Sequence, residues 1–376
     1  MNLHITHDDK FIDIFIRRQQ RLFPDQKNKY IIYHDSQTLT YVKSPEVLFA
    51  PLHSKKFTEL IGNLNQYTNI YIHYFSPLLT NFVLSIPPTV KVTWLFWGSD
   101  AFYLPTFVSS IYTPKTLDII NQYYPHEIYR LNYSRRWFIA SIKGWFKRNK
   151  DALRHMAAMN RIDYFGHYLP EDYQLISQAT GMKAQLLDFN YGSVNDFAAP
   201  VTSSNTENAL LLGNSADASN NHIEALEAIA RTGSNTKVYC PLSYAGYPEY
   251  VTQVINTGNR LLGSRFVPLT NFIPKRQYDE MMGAVKYVVM NHRRSQAFGN
   301  ITAQLSYGNQ LYMNSYSSLY KFLTSLGLEI STLNNLNKAE LPPYQKNETN
   351  INLINRYFGN EAVDQRYRNV LSINQL

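Results

Sequence analysis

Two stretches of the chain hold residues whose types and spacing suit a phosphorylated ligand. The first, "LLGNSADASNNHIEAL" (residues 211–226), begins as a buried strand, breaks at Gly213 and resumes as an amphipathic helix. A helix N-terminus presents N–H groups without intrahelical partners and a partial positive charge, which attract phosphate. Gly213 permits a tight turn and Ser219 or Asn220 can cap the helix, while Asn214, Ser215, Asp217 and Asn220 add hydrogen-bonding groups beside it. A well-capped strand-to-helix connection with no ligand is the plainer account of the same pattern. The second stretch, "VVMNHRRSQAFGNITAQ" (288–304), carries Arg293, Arg294 and Gln296 at a strand's carboxyl end, and Gly299 and Asn300 then open a helix. Paired guanidinium groups ahead of a helix N-terminus combine full charge with oriented N–H groups, a combination suited to a diphosphate. A solvated basic loop is the alternative. Asn314 ends the following strand, and Tyr244 and Phe272 are aromatic candidates for stacking on a ligand's ring.

In the first half, "HITHDDKF" and "WLFWGSDAFY" place Asp9 and Asp100 after strands. A hydroxyl that attacks in group transfer needs a base, or a carboxylate that orients it, and either Asp100 or Asp9 could serve. An N-cap for Asp9 and an Asx-turn for Asp100 are the competing readings. His4 and His7 beside Asp8 and Asp9 hint at a metal, but strand alternation sends them to different faces. There is no Asp-x-Asp, no Gly-x-Gly-x-x-Gly and no Walker loop, so neither a metal nor another cofactor is expected.

"RLNYSRRWFIASIKGWFKRNK" (130–150) holds seven basic residues and no acidic one. At helical spacing Phe138, Ile142, Trp145 and Phe146 share a face, with Arg136, Lys143, Lys147 and Lys150 opposite. Together with Trp137 this is the pattern of an interfacial helix on an anionic membrane. A surface helix docking its aromatics into its own core, or a nucleic-acid patch, would show similar residues. The membrane reading is preferred because the segment interrupts the regular alternation around it, and nucleic acid is not an expected partner.

The elements that must position these residues are short apolar runs alternating with helical patterns, as in parallel α/β units. Strands are expected at 2–5, 29–34, 47–49, 69–74 and 91–96. After a polar break come strands at 209–212, 237–241, 265–268, 287–290 and 310–313, with helices at 222–231, 248–257, 275–282 and 300–306. A chain of 376 residues calls for two domains. The expected division is an N-terminal Rossmann-like domain over 1–195, a linker over 196–207 and a second such domain over 208–376 with a C-terminal tail. Two αβα domains facing a central cleft is the GT-B layout, shared with periplasmic-binding-type proteins. The net charge of +8 favours anionic partners, and the single cysteine excludes an internal disulfide and a Cys-based zinc site. The chain opens without a leader pattern and has no spanning apolar run, so a cytoplasmic protein, soluble or peripheral, is expected.

These residues resemble a known family, the bacterial Fuc4NAc (4-acetamido-4,6-dideoxygalactose) transferases of glycosyltransferase family 56, the 4-alpha-L-fucosyltransferase-like group. "LLGNSADASNNHIEALEAI" carries the most specific similarity, and "TKVYCPLSYAGYPEYVTQVINTG" places Pro241 and Tyr244 on matching positions. Arg294, Gln296, Gly299 and Asn314 also fall on the pattern. In the first half, "LHITHDD", "FWGSDAFY" and "IHYFSP" resemble segments that place Asp9, Asp100 and His73, the last assigned to the acceptor. The resemblance implies a GT-B fold with the nucleotide diphosphate on the second domain and the acceptor on the first. It implies a TDP- or GDP-linked sugar of the fucose or 4-acetamido-4,6-dideoxygalactose class as donor. The acceptor it implies is a lipid-linked saccharide at the inner face of the cell membrane, in bacterial surface polysaccharide synthesis. Two departures stand out: Ala297-Phe298-Gly299-Asn300 replaces a glycine-rich run, and Arg293 replaces a small residue. The reading from another class is a non-catalytic two-domain protein that binds a phosphorylated or nucleotide-sugar ligand.

Overall fold

The computed structural model describes residues 1–35, 38–102, 104, 107, 110–124, 151, 153–199, 206–337 and 340–373. The basic-aromatic segment, with Arg136, Trp137, Phe138, Lys143, Trp145, Phe146 and Lys147, lies outside them, as does half of the expected linker.

Two parallel sheets organise the described residues. The first contains β1 (Asn2–Thr6), β2 (Asn28–Tyr33), β3 (Val47–Ala50), β4 (Asn69–His73), β5 (Lys91–Leu95), β6 (Tyr164–Gly166) and β7 (Gln185–Leu187), in spatial order β3-β2-β1-β4-β5-β6-β7. The second contains β8 (Ala209–Leu212), β9 (Lys237–Pro241), β10 (Phe266–Leu269), β11 (Tyr287–Met290), β12 (Gln310–Met313) and β13 (Ser331–Thr332), in order β10-β9-β8-β11-β12-β13. In both, the order reverses beside the first strand of the unit, where open α/β sheets place their ligands. β1, β4, β8 and β11 are buried at every position, as expected of central strands covered on both faces.

Helices cover the sheets with apolar stripes. Lys10–Leu22 buries Ile12, Phe15 and Ile16, and His222–Arg231 buries Ile223, Leu226 and Ile229. The strands 209–212, 237–241, 287–290 and 310–313 and the helix 222–231 fall where the sequence pattern puts them. β6, β7 and two C-terminal helices, Glu348–Phe358 and Asn360–Leu371, go beyond it.

Contacts divide the chain into two units whose boundaries differ from the sequence expectation. One unit takes 1–101, the described part of 135–193, and 360–373, and the other takes the described part of 102–134 and 194–359. The last helix joins the first unit because Val363, Tyr367, Val370 and Leu371 bury their apolar face in the core that holds Phe15 and Tyr71. Buried Arg18 and the half-exposed Arg21 both pair with Asp364, and Tyr367 donates to the Tyr191 carbonyl at 2.7 Å. Such long-range pairing leaves no local trace in the sequence. The helix Pro114–Tyr123 joins the second unit because Glu224 accepts from the N–H groups of Lys115 and Thr116 at its start. Asn221 accepts from Thr113 N–H at 2.8 Å just before it.

Candidate functional site

In the second unit, pairing of Leu212 with Val289 lines up the carboxyl ends of β8 and β11 and brings the two sequence stretches together. Gly213 N–H donates to the Val289 carbonyl at 2.9 Å. Its φ is +70°, and a Cβ there would lie 2.7 Å from Asn220 Oδ1 and 2.9 Å from His222 Nε2, so only glycine fits this turn. Asn220 Oδ1 accepts the Asn214 N–H at 3.0 Å and lies 2.8 Å from His292 Nε2. A backbone N–H can only donate, so the Asn220 oxygen is fixed and His292 must carry its proton on Nε2. Burial, and then the nearby Arg294 charge, holds His292 well below the usual histidine range, which keeps it neutral.

The polar turn is therefore mostly a scaffold. Ser215, Ser219 and Asn220 are buried, which corrects the expectation that Ser215 and Asn220 face a donor. Asp217 caps a short 3-10 turn by accepting from Ser219 N–H at 2.8 Å. Ser219 Oγ lies 2.5 Å from Asp217 Oδ1 and 2.6 Å from Gln296 Oε1, and Gln296 Nε2 donates to Asn214 Oδ1 at 3.3 Å. Asn214, Asp217 and Gln296 keep partial exposure above this network.

The two arginines separate. Arg293 stacks its guanidinium 4.9 Å from the Tyr316 ring centre and donates to the Tyr112 carbonyl at 3.1 Å, so it braces the segment before Pro114 rather than facing a donor. Arg294 donates to the adjacent Ser295 carbonyl at 3.2 Å, and no carboxylate pairs with it among the described residues. The helix Phe298–Ser306 follows from Ala297, whose φ is +58°, and no side chain caps it. A full positive charge thus precedes an uncapped helix N-terminus carrying Asn300 in its first turn. Gly299 has a packing role: a Cβ there would sit 2.9 Å from the Phe197 ring. The Asn314 amide is committed within the loops, donating to Asn291 Oδ1 at 2.8 Å and accepting from Tyr316 N–H at 3.0 Å. Tyr244 is 54% exposed and donates to the Asn214 carbonyl at 3.1 Å, while Phe272 is 85% exposed beyond β10. His292 and Asn221 are site-building residues that the sequence reading passed over. The doubled asparagine ahead of a helix was the available signal for Asn221, whose φ is +52°.

In the first unit Asp9 caps the helix Lys10–Leu22, accepting from Phe11 N–H at 3.0 Å, and burial raises its carboxyl above the ordinary range. Asp100 is fully buried. Its Oδ2 accepts from the Trp94 indole at 2.6 Å and Phe75 N–H at 3.2 Å, and its Oδ1 from Trp97 N–H at 3.0 Å. Burial pushes it up to about 7 against these donors. An acceptor hydroxyl does not reach a carboxylate so enclosed, and Asp100 holds the turns after β4 and β5. His73 is corrected likewise: it is buried, with Nε2 3.1 Å from His4 Nδ1 and Nδ1 2.8 Å from the Tyr191 hydroxyl. Partly exposed at the same sheet edge are His7, Tyr33, Tyr74 and Trp97. Tyr74 has φ +66°, a left-handed conformation that costs a side-chain-bearing residue about 1–2 kcal/mol.

Among the described residues no group of three or more His, Cys, Asp or Glu side chains gathers as a metal site, and no helix is long and apolar enough to cross a membrane.

The family model described as 4-alpha-L-fucosyltransferase glycosyl transferase group 56 matches residues 153–375, more than half of the chain. No curated protein matches. Solved structures share the fold along nearly the whole chain. Anabaena Alr3699/HepE, in complex with UDP and glucose, superposes with a TM-score of 0.65 at 12% identity, covering 99% of each chain. The alpha,alpha-trehalose-phosphate synthase (UDP-forming) of Burkholderia xenovorans, in complex with glucose-6-phosphate, gives 0.61 at 9% identity over 100% of both chains. WaaG, a glycosyltransferase involved in lipopolysaccharide biosynthesis, gives 0.51 at 9% identity over 100% of this chain and 96% of that one. These neighbours are GT-B glycosyltransferases, and GT-B is the fold of this chain.

Proposed function

The chain belongs to glycosyl transferase group 56 and is a glycosyltransferase, and we propose that it moves a 6-deoxyhexose-type sugar, of the fucose or 4-acetamido-4,6-dideoxygalactose class, from a TDP or GDP donor to a lipid-linked saccharide in bacterial surface polysaccharide synthesis. The observation that carries the donor half is Arg294 beside the uncapped start of Phe298–Ser306. When the acceptor oxygen attacks the sugar's anomeric carbon, the bond to the diphosphate breaks and the nucleoside diphosphate leaves with the electron pair. The guanidinium and the helix N–H groups offset the charge that develops on it, which is where electrostatic help lowers the barrier most. Asn214 and Gln296 border the sugar and Tyr244 and Phe272 the base. Asp9 is the better candidate to take the acceptor's proton, since burial raises its basicity while leaving it partly exposed, whereas Asp100 is enclosed.

The sugar class rests on the family description, and the membrane setting on the basic-aromatic segment, which suits peripheral attachment to the inner face of the cell membrane. A thermal-shift panel of UDP, GDP, TDP and their sugars tests the donor half, because a ligand that binds only the folded state raises the melting temperature with its concentration. One nucleotide is expected to stand out, with its shift reduced in Arg294→Ala. No shift with any nucleotide, or an equal shift in the variant, overturns the assignment. Release of free nucleoside diphosphate from the selected sugar nucleotide separates transfer or hydrolysis from mere binding.

A further inference from the structure

The second unit accounts for a donor, and the first unit carries at its sheet edge a feature that the donor reading does not use. Four side chains from the ends of four strands meet at the carboxyl edge of the first sheet. His7 follows β1, Tyr33 ends β2, Tyr74 follows β4, and Trp97 lies two residues past β5. His7 is the hub, with ring centres 6.0 Å from Tyr33, 4.8 Å from Tyr74 and 4.7 Å from Trp97, and Tyr74 lies 5.6 Å from Trp97. All four remain partly exposed, whereas Tyr30, Tyr71, His73 and Trp94 beneath them are buried. Core packing explains the lower layer and the inner side of Trp97, which packs against Phe11 and Tyr191. It does not explain Tyr74, which holds φ +66° with a ring that stays partly in water.

Charge decides what such a cup suits. The titratable groups beside it are His7, kept neutral by burial, its neighbour His34, and Asp9, whose Oδ1 accepts from Phe11 N–H, while the Asp8 carboxylate turns to the N–H groups of Thr40, Tyr41 and Val42. The Lys10 ammonium lies over the Phe11 ring instead, at 5.6 Å. A phosphate would meet the Asp9 carboxylate here and no guanidinium, the reverse of the cationic environment at Arg294. A neutral pyranose fits: its C–H faces stack on aromatic faces, and its hydroxyls can donate to a carboxylate and both donate to and accept from an imidazole.

We propose that His7, Tyr33, Tyr74 and Trp97 form the acceptor's sugar subsite, with Trp97 and Tyr74 stacking on a neutral pyranose and His7 and Asp9 bonding its hydroxyls. The proposal rests on the glycosyltransferase reading and deepens it: the acceptor is held here by its sugar, and its phosphates lie elsewhere.

Saturation-transfer NMR on the full chain tests this with methyl glucoside, methyl galactoside and methyl N-acetylglucosaminide at millimolar concentration, with inorganic phosphate as competitor. At least one glycoside is expected to receive saturation, mainly on one face of its ring, and phosphate is expected not to displace it. Trp97→Ala and Tyr74→Gly should each weaken binding about tenfold, the upper end of what one aromatic face contributes. Glycine suits φ +66°, so Tyr74→Gly should keep its melting temperature and carries the test even if Trp97→Ala unfolds. No saturation of any neutral glycoside, displacement by phosphate, or unchanged binding in a folded Tyr74→Gly overturns the proposal. Nucleoside diphosphate shifts on the same samples keep the two readings apart. Their presence with no glycoside binding removes the cup alone, and their absence with intact glycoside binding removes the donor site alone.

Discussion

Replacing Asp100 by asparagine distinguishes a carboxylate that holds a loop from one that meets substrate. Its Oδ2 accepts from the Trp94 indole at 2.6 Å and Phe75 N–H at 3.2 Å, and its Oδ1 from Trp97 N–H at 3.0 Å. An asparagine that keeps its oxygen at the Oδ2 place turns its NH2 group onto the Trp97 N–H. One hydrogen bond is lost and two buried donors face each other, at a cost of about 1–3 kcal/mol. The cost also varies with pH. Burial raises the folded pKa from 3.8 to about 7, so between these values the folded protein keeps a proton that the unfolded chain has released. Stability from the protonated group is fully present below pH 4 and is lost as pH rises through 7, at about 1.4 kcal/mol per pH unit in that window. Asparagine does not titrate, and the remaining groups cancel in the difference between the two proteins. Urea melts followed by tryptophan emission should show the variant less stable at about pH 8, with the gap widening toward pH 5. The turnover of its folded fraction should stay within an order of magnitude of wild type. Parallel pH curves would refute the buried proton, and full stability with turnover abolished would return Asp100 to the reaction.

Further outcomes follow from the structure and the sequence. Arg294→Ala should lower kcat/KM about 100- to 1000-fold, the range for removing one donor to a developing charge. Arg293→Ala should mainly lower the melting temperature, since its guanidinium braces Tyr112 and Tyr316, and equal kinetic losses in the two would contradict that division. Gly213→Ala should destabilise by about 3 kcal/mol, from the left-handed backbone and the displaced Asn220 amide, and a thermal melt within a degree of wild type would show that the turn yields instead. Burial lowers His4 to about 3 and His155 and His222 to about 4, so the unfolded chain binds protons that the fold refuses. Stability present above pH 6.5 should therefore drain away as pH falls, a slope that His4→Gln should reduce in acid melts. Finally, the protein should co-sediment with anionic vesicles, and charge reversal at Lys143 and Lys147 should release it; equal binding to neutral vesicles, or to none, would count against the membrane reading.

The alternation of apolar runs was enough to place most strands, because a buried parallel strand must be a short apolar run whatever surrounds it. Gly213 and the Arg-Arg loop were also legible, since a tight turn needs glycine and a basic pair stands out against the chain around it. The roles of individual side chains were not. Asp100 and Asp9 look alike in sequence, each an aspartate after a strand, yet one is enclosed by three donors and the other caps a helix at the edge. Arg293 and Arg294 are adjacent, and only the positions of Tyr112 and Tyr316 decide which one is occupied. The last helix reads as a weak tail until Arg18, Arg21 and Phe15 supply its partners more than 300 residues away. Local chemistry determined the elements and the kind of ligand edge they make. Tertiary packing decided which polar atoms are consumed inside that edge and which are left facing out, because burial and hydrogen-bond partners come from residues distant in the chain.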